Sequence, residues 1–194
     1  MNTRRQQRAL WTAIAAVLLL CACVGGGQGG GSAANGEQTL RELARAHDID
    51  IGSAVSPAVL KDPGVKNILA AQFNSLTPEN ELKFYTIRAQ KGYYNFAPAD
   101  ELVAFAEEHG MKVRGHTLIW HKYQPRWLED ASWTREEMLS LLKDYITTVV
   151  GRYKGRIYCW DVVNEVVDDV GDLVLGNDSI WYRALGEDYI CLLY

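Results

Sequence analysis

The stretch Tyr158-Cys159-Trp160-Asp161-Val162-Val163-Asn164-Glu165 is an apolar, β-branched run that stops on an amide and a carboxylate. Such a run suits a buried strand of a parallel sheet. A carboxylate at its end is costly unless something there uses it. Two earlier stretches end in a similar way. Phe73 to Thr77 runs into Pro78, Glu79 and Asn80, with Lys83 one turn further on. Lys112 to Trp120 carries His116, Trp120 and His121 and is followed by Gln124 and Trp127. These are acids, amides, a lysine, histidines and indoles, with no Ser or Cys set beside a base. The set suits a sugar polymer, whose hydroxyls take charged and amide partners and whose C–H faces stack on indoles. Cleaving a glycosidic bond needs a proton donor at the leaving oxygen and a second carboxylate as nucleophile or base. On this reading Glu165 is the acid, and Asn164 is its partner at the substrate. Desolvation and neighbouring acids are expected to raise the pKa of Glu165.

Each residue also has a plainer reading. Glu165 can be a solvated strand end, and His116 a core histidine. Trp120, Trp127 and Trp133 can simply fill the core. Glu79 and Lys83, four apart, can pair on a helix. His116 and His121 are metal-ligand types, but five apart and without an HExxH pattern the signal is weak. Glu107-Glu108 and Glu136-Glu137 read as solvated helix faces. The functional reading gains because the polar groups fall at the same end of three successive expected strands.

Those residues need a frame. Thr39 to His47 reads as a lead-in helix, Ile49 to Ala54 as the first strand, and Pro63 to Gln72 as a helix with proline in its first turn. Phe73–Thr77 is the second expected strand. Ala99 to His109 is a helix with Leu102, Val103, Phe105 and Ala106 on one face and Gly110 as its C-terminal cap. Lys112–Trp120 is the third strand. Thr134 and Glu137 form a capping box. The helix behind it repeats apolar residues at Met138, Leu141, Leu142, Tyr145, Ile146 and Val149, and ends near Gly151. Ile157–Asn164 is the fourth strand, and Ser179 opens another helix. Alternating strands and helices imply a parallel α/β fold. A doubly wound sheet would fit the alternation, but no Gly-rich phosphate loop follows a strand. A (β/α)8 barrel needs about 250 residues, so four β/α units make about half of one.

The 194 residues are 48% hydrophobic with a formal charge of -4, which gives enough apolar material for one core and argues against nucleic acid as a partner. Arg4, Arg5 and Arg8 precede a short apolar run from Trp11 to Leu20, and Leu20-Cys21-Ala22-Cys23 resembles a bacterial lipobox. Residues 1–23 are read as a lipoprotein-type signal with Cys23 lipidated, and residues 24–36 as a Gly-rich tether. Ordinary cleavage without a lipid is the alternative. The expected location is outside the cytoplasm: a lipoprotein at the cell surface or in the periplasm, or otherwise a secreted protein. Of the four cysteines, Cys21 and Cys23 belong to the signal and Cys159 to a strand, so no structural disulfide is expected.

Three blocks then make a specific resemblance. They are Leu76-Thr77-Pro78-Glu79-Asn80-Glu81-Leu82-Lys83-Phe84, Val113-Arg114-Gly115-His116-Thr117-Leu118-Ile119-Trp120-His121 and Trp160-Asp161-Val162-Val163-Asn164-Glu165. In order and spacing they look like signature blocks of glycoside hydrolase family 10, the endo-1,4-β-xylanases. The resemblance runs from about Leu40 to Ile190. It implies a TIM (β/α)8 barrel over residues 37–194, here its first four units, that cleaves β-1,4-xylan with retention of configuration. It implies Glu165 as acid/base and Asn164 on the 2-hydroxyl of the sugar at the cleavage point. Glu79, Asn80 and Lys83 would bind xylose on the non-reducing side, with His116 and Trp120 lining the adjoining subsite. Gln124 would be a further sugar contact and Trp127 a structural residue at the cleft edge. Xylan or xylo-oligosaccharides are the implied partners, no cofactor or metal is expected, and the complete protein is expected to be a monomer.

The sequence also departs from the pattern. After His121 the family usually has a small polar residue and then Gln, whereas here Lys122 and Tyr123 come before Gln124. Phe84 stands where Trp is common. The nucleophile Glu of a later strand is missing from the 194 residues, and Cys191-Leu192-Leu193-Tyr194 is expected to break the final helix, as in a truncated or shifted reading. These residues alone are therefore expected to be inactive. Other retaining β-1,4-glycanases of the same barrel type, or an inactive glycan-binding remnant, are the competing readings.

Overall fold

The structure is a computed structural model that describes residues 38–167 and 179–193. The expected export signal with Cys23 and the expected tether lie outside the described residues. Helix α1 (Leu40–Ala46) starts at Thr39, whose hydroxyl accepts from the Glu42 amide while the Glu42 carboxylate accepts from the Thr39 amide. Strand β1 (Gly52–Val55) is followed by a 3-10 turn (Val59–Lys61) and by α2 (Pro63–Gln72), which is capped by Asp62. Strand β2 (Ser75–Pro78) leads to a one-turn helix α3 (Phe84–Ile87) and then α4 (Ala97–Glu108). After α4 come β3 (Lys112–Gly115), β4 (Ile119–Trp120) and the short α5 (Arg126–Glu129). The longest helix, α6 (Arg135–Arg152), precedes β5 (Cys159–Trp160) and β6 (Val163–Asn164). Two short helices, α7 (Ile180–Leu185) and α8 (Tyr189–Leu193), complete the described residues.

All pairing among the described strands is parallel. The order is β1-β2-β3-β5 in a four-stranded sheet, with β4 and β6 paired separately. The expected third and fourth strands are therefore each split. Gly115 pairs with Trp160 and Ile119 with Val163, so four steps along one strand match three along the other. The extra residue is a bulge. It is held where the Thr117 hydroxyl donates to the Asp161 carbonyl at 2.9 Å and the Leu118 amide donates to the same carbonyl at 3.0 Å. Gly115 is required at its edge, since a Cβ there would lie 2.3 Å from the Trp160 ring. The first strand also begins later than expected, at Gly52. Residues 191–193 continue as helix rather than breaking one, after a turn at Gly186 with φ 82°.

The helices pack on the sheet through the stripes that the sequence marks. Helix α4 buries Ala99, Leu102, Val103, Phe105 and Ala106, and α6 buries Met138, Leu142, Tyr145 and Val149. Each of the Leu, Val, Phe and Met side chains among them contributes about 1.5–3 kcal/mol when fully buried. Phe84 packs against α6 and α7, its ring 4.6 Å from Tyr145 and 5.3 Å from Trp181. The chain after β2 is thereby fixed to the core just where it supplies polar residues.

Candidate functional site

The polar residues gather beyond the C-terminal ends of the strands. Asn80 and Lys83 flank the turn between β2 and α3. The Lys83 ammonium donates to Asn80 Oδ1 at 2.9 Å, and the Tyr85 hydroxyl donates to the same oxygen at 3.0 Å. Lys83 thus pairs with Asn80, not with Glu79. Its Nζ also lies 4.7 Å from the centre of the Trp120 ring, a cation–π contact. The Trp120 indole N–H in turn donates to Glu165 Oε2 at 2.9 Å. Asn80, Lys83, Trp120 and Glu165 therefore form one continuous chain of contacts. Asn164, half-buried on β6, pairs with Trp120 on β4, which sets the neighbouring residue Glu165 beside that indole.

Trp120 is itself braced. The Trp181 indole, fully buried, donates to the Trp120 carbonyl at 2.8 Å, and the Gln124 amide nitrogen donates to the same oxygen. Gln124 also donates to the Lys122 carbonyl, so its side chain holds this loop together and does not reach toward the Trp120–Glu165 cluster. Trp127 donates to the Arg88 carbonyl at 3.0 Å and packs against the core.

Glu165 has φ 51°, the left-handed region. That is unfavourable for a residue with a Cβ and is typical of functional positions. Its carboxylate is 46% exposed, and Lys122 Nζ donates to Oε2 at 2.9 Å. The expected rise in pKa is not found. Lys122 first and Trp120 second hold the Glu165 carboxyl below its ordinary range, and burial opposes them only weakly. The sequence reading assumed a desolvated carboxylate among acids; the structure gives it an exposed position beside a cation.

A second cluster lies on the bulge. The His116 Nδ1 and Asp161 Oδ2 are 2.8 Å apart, and Arg114 donates to Asp161 Oδ1 through Nε at 3.1 Å and Nη2 at 2.8 Å. His116 and Glu79 line a groove of about 550 Å3 along the exposed sheet face, together with Thr77, Ser75, Arg114 and Tyr158. Glu165, Lys83 and Trp120 do not line that groove. Sequence reasoning missed Asp161, Lys122, Tyr123, Tyr85 and Trp181. Asp161 could have been found from its place four residues before Glu165 in the same motif.

A parallel strand–helix frame that delivers a carboxylate, amides, a lysine and indoles beyond its strand ends is the layout of a glycoside hydrolase on a (β/α)8 barrel. Residues 39–194 match glycosyl hydrolase family 10, and the chain belongs to that family. Endo-1,4-beta-xylanase B of Paenibacillus barcinonensis is 48% identical over 149 residues, which are 75% of this chain and 44% of that protein. Endo-1,4-beta-xylanase B of Thermotoga neapolitana is 42% identical over 154 residues, 78% of this chain and 44% of that protein. The crystal structure of xylanase 10B from Thermotoga petrophila RKU-1 in complex with xylobiose superposes with a TM-score of 0.74 at 43% identity, covering 80% of this chain and 48% of that one. The fold is accordingly part of a TIM barrel, and the chain spans less than half the length of these relatives.

Proposed function

We propose that the full-length protein is an endo-1,4-β-xylanase working by retaining double displacement. Glu165 protonates the glycosidic oxygen as the bond to the anomeric carbon breaks. A second carboxylate, from outside these 194 residues, attacks that carbon from the opposite face and forms a glycosyl-enzyme. Glu165, now ionised, takes a proton from the water that releases the sugar. The observation that carries this reading is the unbroken contact chain from Asn80 through Lys83 and Trp120 to Glu165. Asn80 and Lys83 offer an amide and a cation to sugar hydroxyls, Trp120 offers a face, and Asn164 is one residue from the acid. The ion pair with Lys122 suits the base half of the cycle. The acid half requires substrate or the approaching second carboxylate to weaken that pair.

The test is Glu165→Ala in the full-length protein. Loss of general acid–base catalysis lowers xylan turnover by about 10²–10⁴-fold. Aryl xylosides with good leaving groups should suffer far less in the first step, because they need no proton. Proton NMR of the first product should show the β-anomer. Unchanged xylan turnover in the variant would overturn the assignment, and equal hydrolysis of carboxymethyl cellulose would move the substrate to β-1,4-glucans. We further infer an exported, lipid-anchored protein from the segment around Cys23. Labelled palmitate should enter the wild type and not Cys23→Ser.

A further inference from the structure

We propose that Tyr123 is a stacking platform for a pyranose ring of a β-1,4-linked chain, next to the ring held at Trp120. This deepens the reading above and rests on it for the identity of the sugar. Tyr123 is 68% exposed and has φ 56°. A bulky residue in the left-handed region is disfavoured, and here the unusual backbone holds an aromatic ring in solvent, where it adds nothing to the core. The neighbouring Gln124 turns inward onto the carbonyls of Trp120 and Lys122. Tyr123 is left as the outward-facing side chain of the pair.

The ring is not isolated. Its centre lies 5.4 Å from Trp120 and 5.9 Å from Tyr85, with both pairs tilted. The Tyr85 hydroxyl is bonded to Asn80, and Trp120 is bonded to Glu165. Three aromatic rings thus form a strip running along the polar site, bordered by Lys83 and Lys122, both over Trp120. A strip of ring faces edged by cations and an amide fits a saccharide chain, which has apolar C–H faces and hydroxyl rims. It is a poor fit to an apolar peptide, which would cover the Lys83–Asn80 and Lys122–Glu165 pairs without offering them a polar partner. Tyr123 also falls in the two-residue departure from the family pattern after His121, so the platform would set this protein's preference apart from that of its relatives.

The experiment is calorimetric titration of the full-length protein, made non-hydrolysing by Glu165→Ala, with xylohexaose and with cellohexaose. Tyr123→Ala should weaken binding about tenfold, the effect of returning one apolar ring face to water. Tyr123→Phe should bind as the parent does. Tyr123→Asn tolerates the left-handed backbone better than alanine, so an equal loss in that variant excludes backbone strain as the cause. Unchanged affinity in Tyr123→Ala and Tyr123→Asn would overturn the proposal, as would a parent that binds neither oligosaccharide. Tyr123-dependent binding, with no xylan cleavage by the full-length protein that keeps Glu165, would keep the platform and remove the catalytic reading. Tyr123-dependent binding of cellohexaose alone would keep the platform and change the sugar.

Discussion

The Glu165 carboxyl is held below its ordinary range chiefly because Lys122 and the Trp120 indole donate to it. Its carboxyl is depressed in the folded protein, so it contributes stability above the unfolded pKa and loses it as pH falls through the folded value. Lys122→Met removes the largest cause and leaves Trp120 and His121 to lower the pKa against burial. The Glu165 pKa should rise, which a carbon-13 NMR titration of the labelled carboxyl would detect; an unmoved titration would mean that the ion pair is not formed in solution. Asp161 acts differently, through His116. The Asp161 carboxylate can only accept, so the proton of this contact sits on Nδ1, and Nε2 is the ring nitrogen left for another partner. Asp161→Ala should release this tautomer, visible in the nitrogen-15 shifts of His116, and Asp161→Asn should restore it in part. The stability cost should be near the lower end of about 1–3 kcal/mol for an orphaned buried group, because both side chains keep 22% exposure.

At the scale of elements, the bulge between β3–β4 and β5–β6 decides where His116, Trp120 and Glu165 point. One extra residue re-aims every side chain beyond it. Gly115→Ala should force the Trp160 ring aside, since the new methyl would lie 2.3–2.6 Å from its atoms. Overpacking of this kind costs about 1–3 kcal/mol, read as a lowered urea midpoint with altered tryptophan fluorescence. At α6, Thr134→Ala should cost about 1 kcal/mol through loss of the capping box. That cap was legible in the sequence because it is local: Thr134 and Glu137 are three apart, as are Thr39 and Glu42 in α1. The apolar stripe of α6 was legible for the same reason. The bulge was not, because it is a mismatch between two strands more than forty residues apart and neither strand carries a mark of it. The strand-end residues Asn80, Lys83, Trp120 and Glu165 were legible as chemistry. The pKa of Glu165 was misread because its sign depends on Lys122, which only the turn after β4 brings near. Trp181, which braces Trp120 from α7, gave no sequence signal beyond its size.

At the scale of the molecule, the described residues form a packed layer with open borders. The core from Val55 to Leu193 is continuous, yet β1 and β5 close the four-stranded sheet at its two ends without a further described strand. The face between them is a groove lined by small and polar residues such as Gly52, Ser75 and Thr77, and not by the layered branched side chains that fill a closed barrel. On the outside, Leu139, Leu142 and Ile146 of α6 border a second groove of about 370 Å3 with Leu192 and Leu193. Parallel edges and partly covered apolar surface are aggregation-prone. A stability margin of about 5–15 kcal/mol leaves little to offset them. The 194 residues purified alone should therefore bind a hydrophobic dye, unfold in urea with a shallow, poorly cooperative transition, and release no reducing sugar from xylan. Joining them to the C-terminal part of the Paenibacillus barcinonensis relative, of which they match 44%, should cover the sheet's open borders and, on the mechanism proposed above, bring in the second carboxylate. Cooperative unfolding and xylan cleavage should then appear together, because in a closed barrel the same strands complete the core and face Glu165. Turnover by the 194 residues alone would show that the second carboxylate is already present among them, and the proposed division of the catalytic pair would fall.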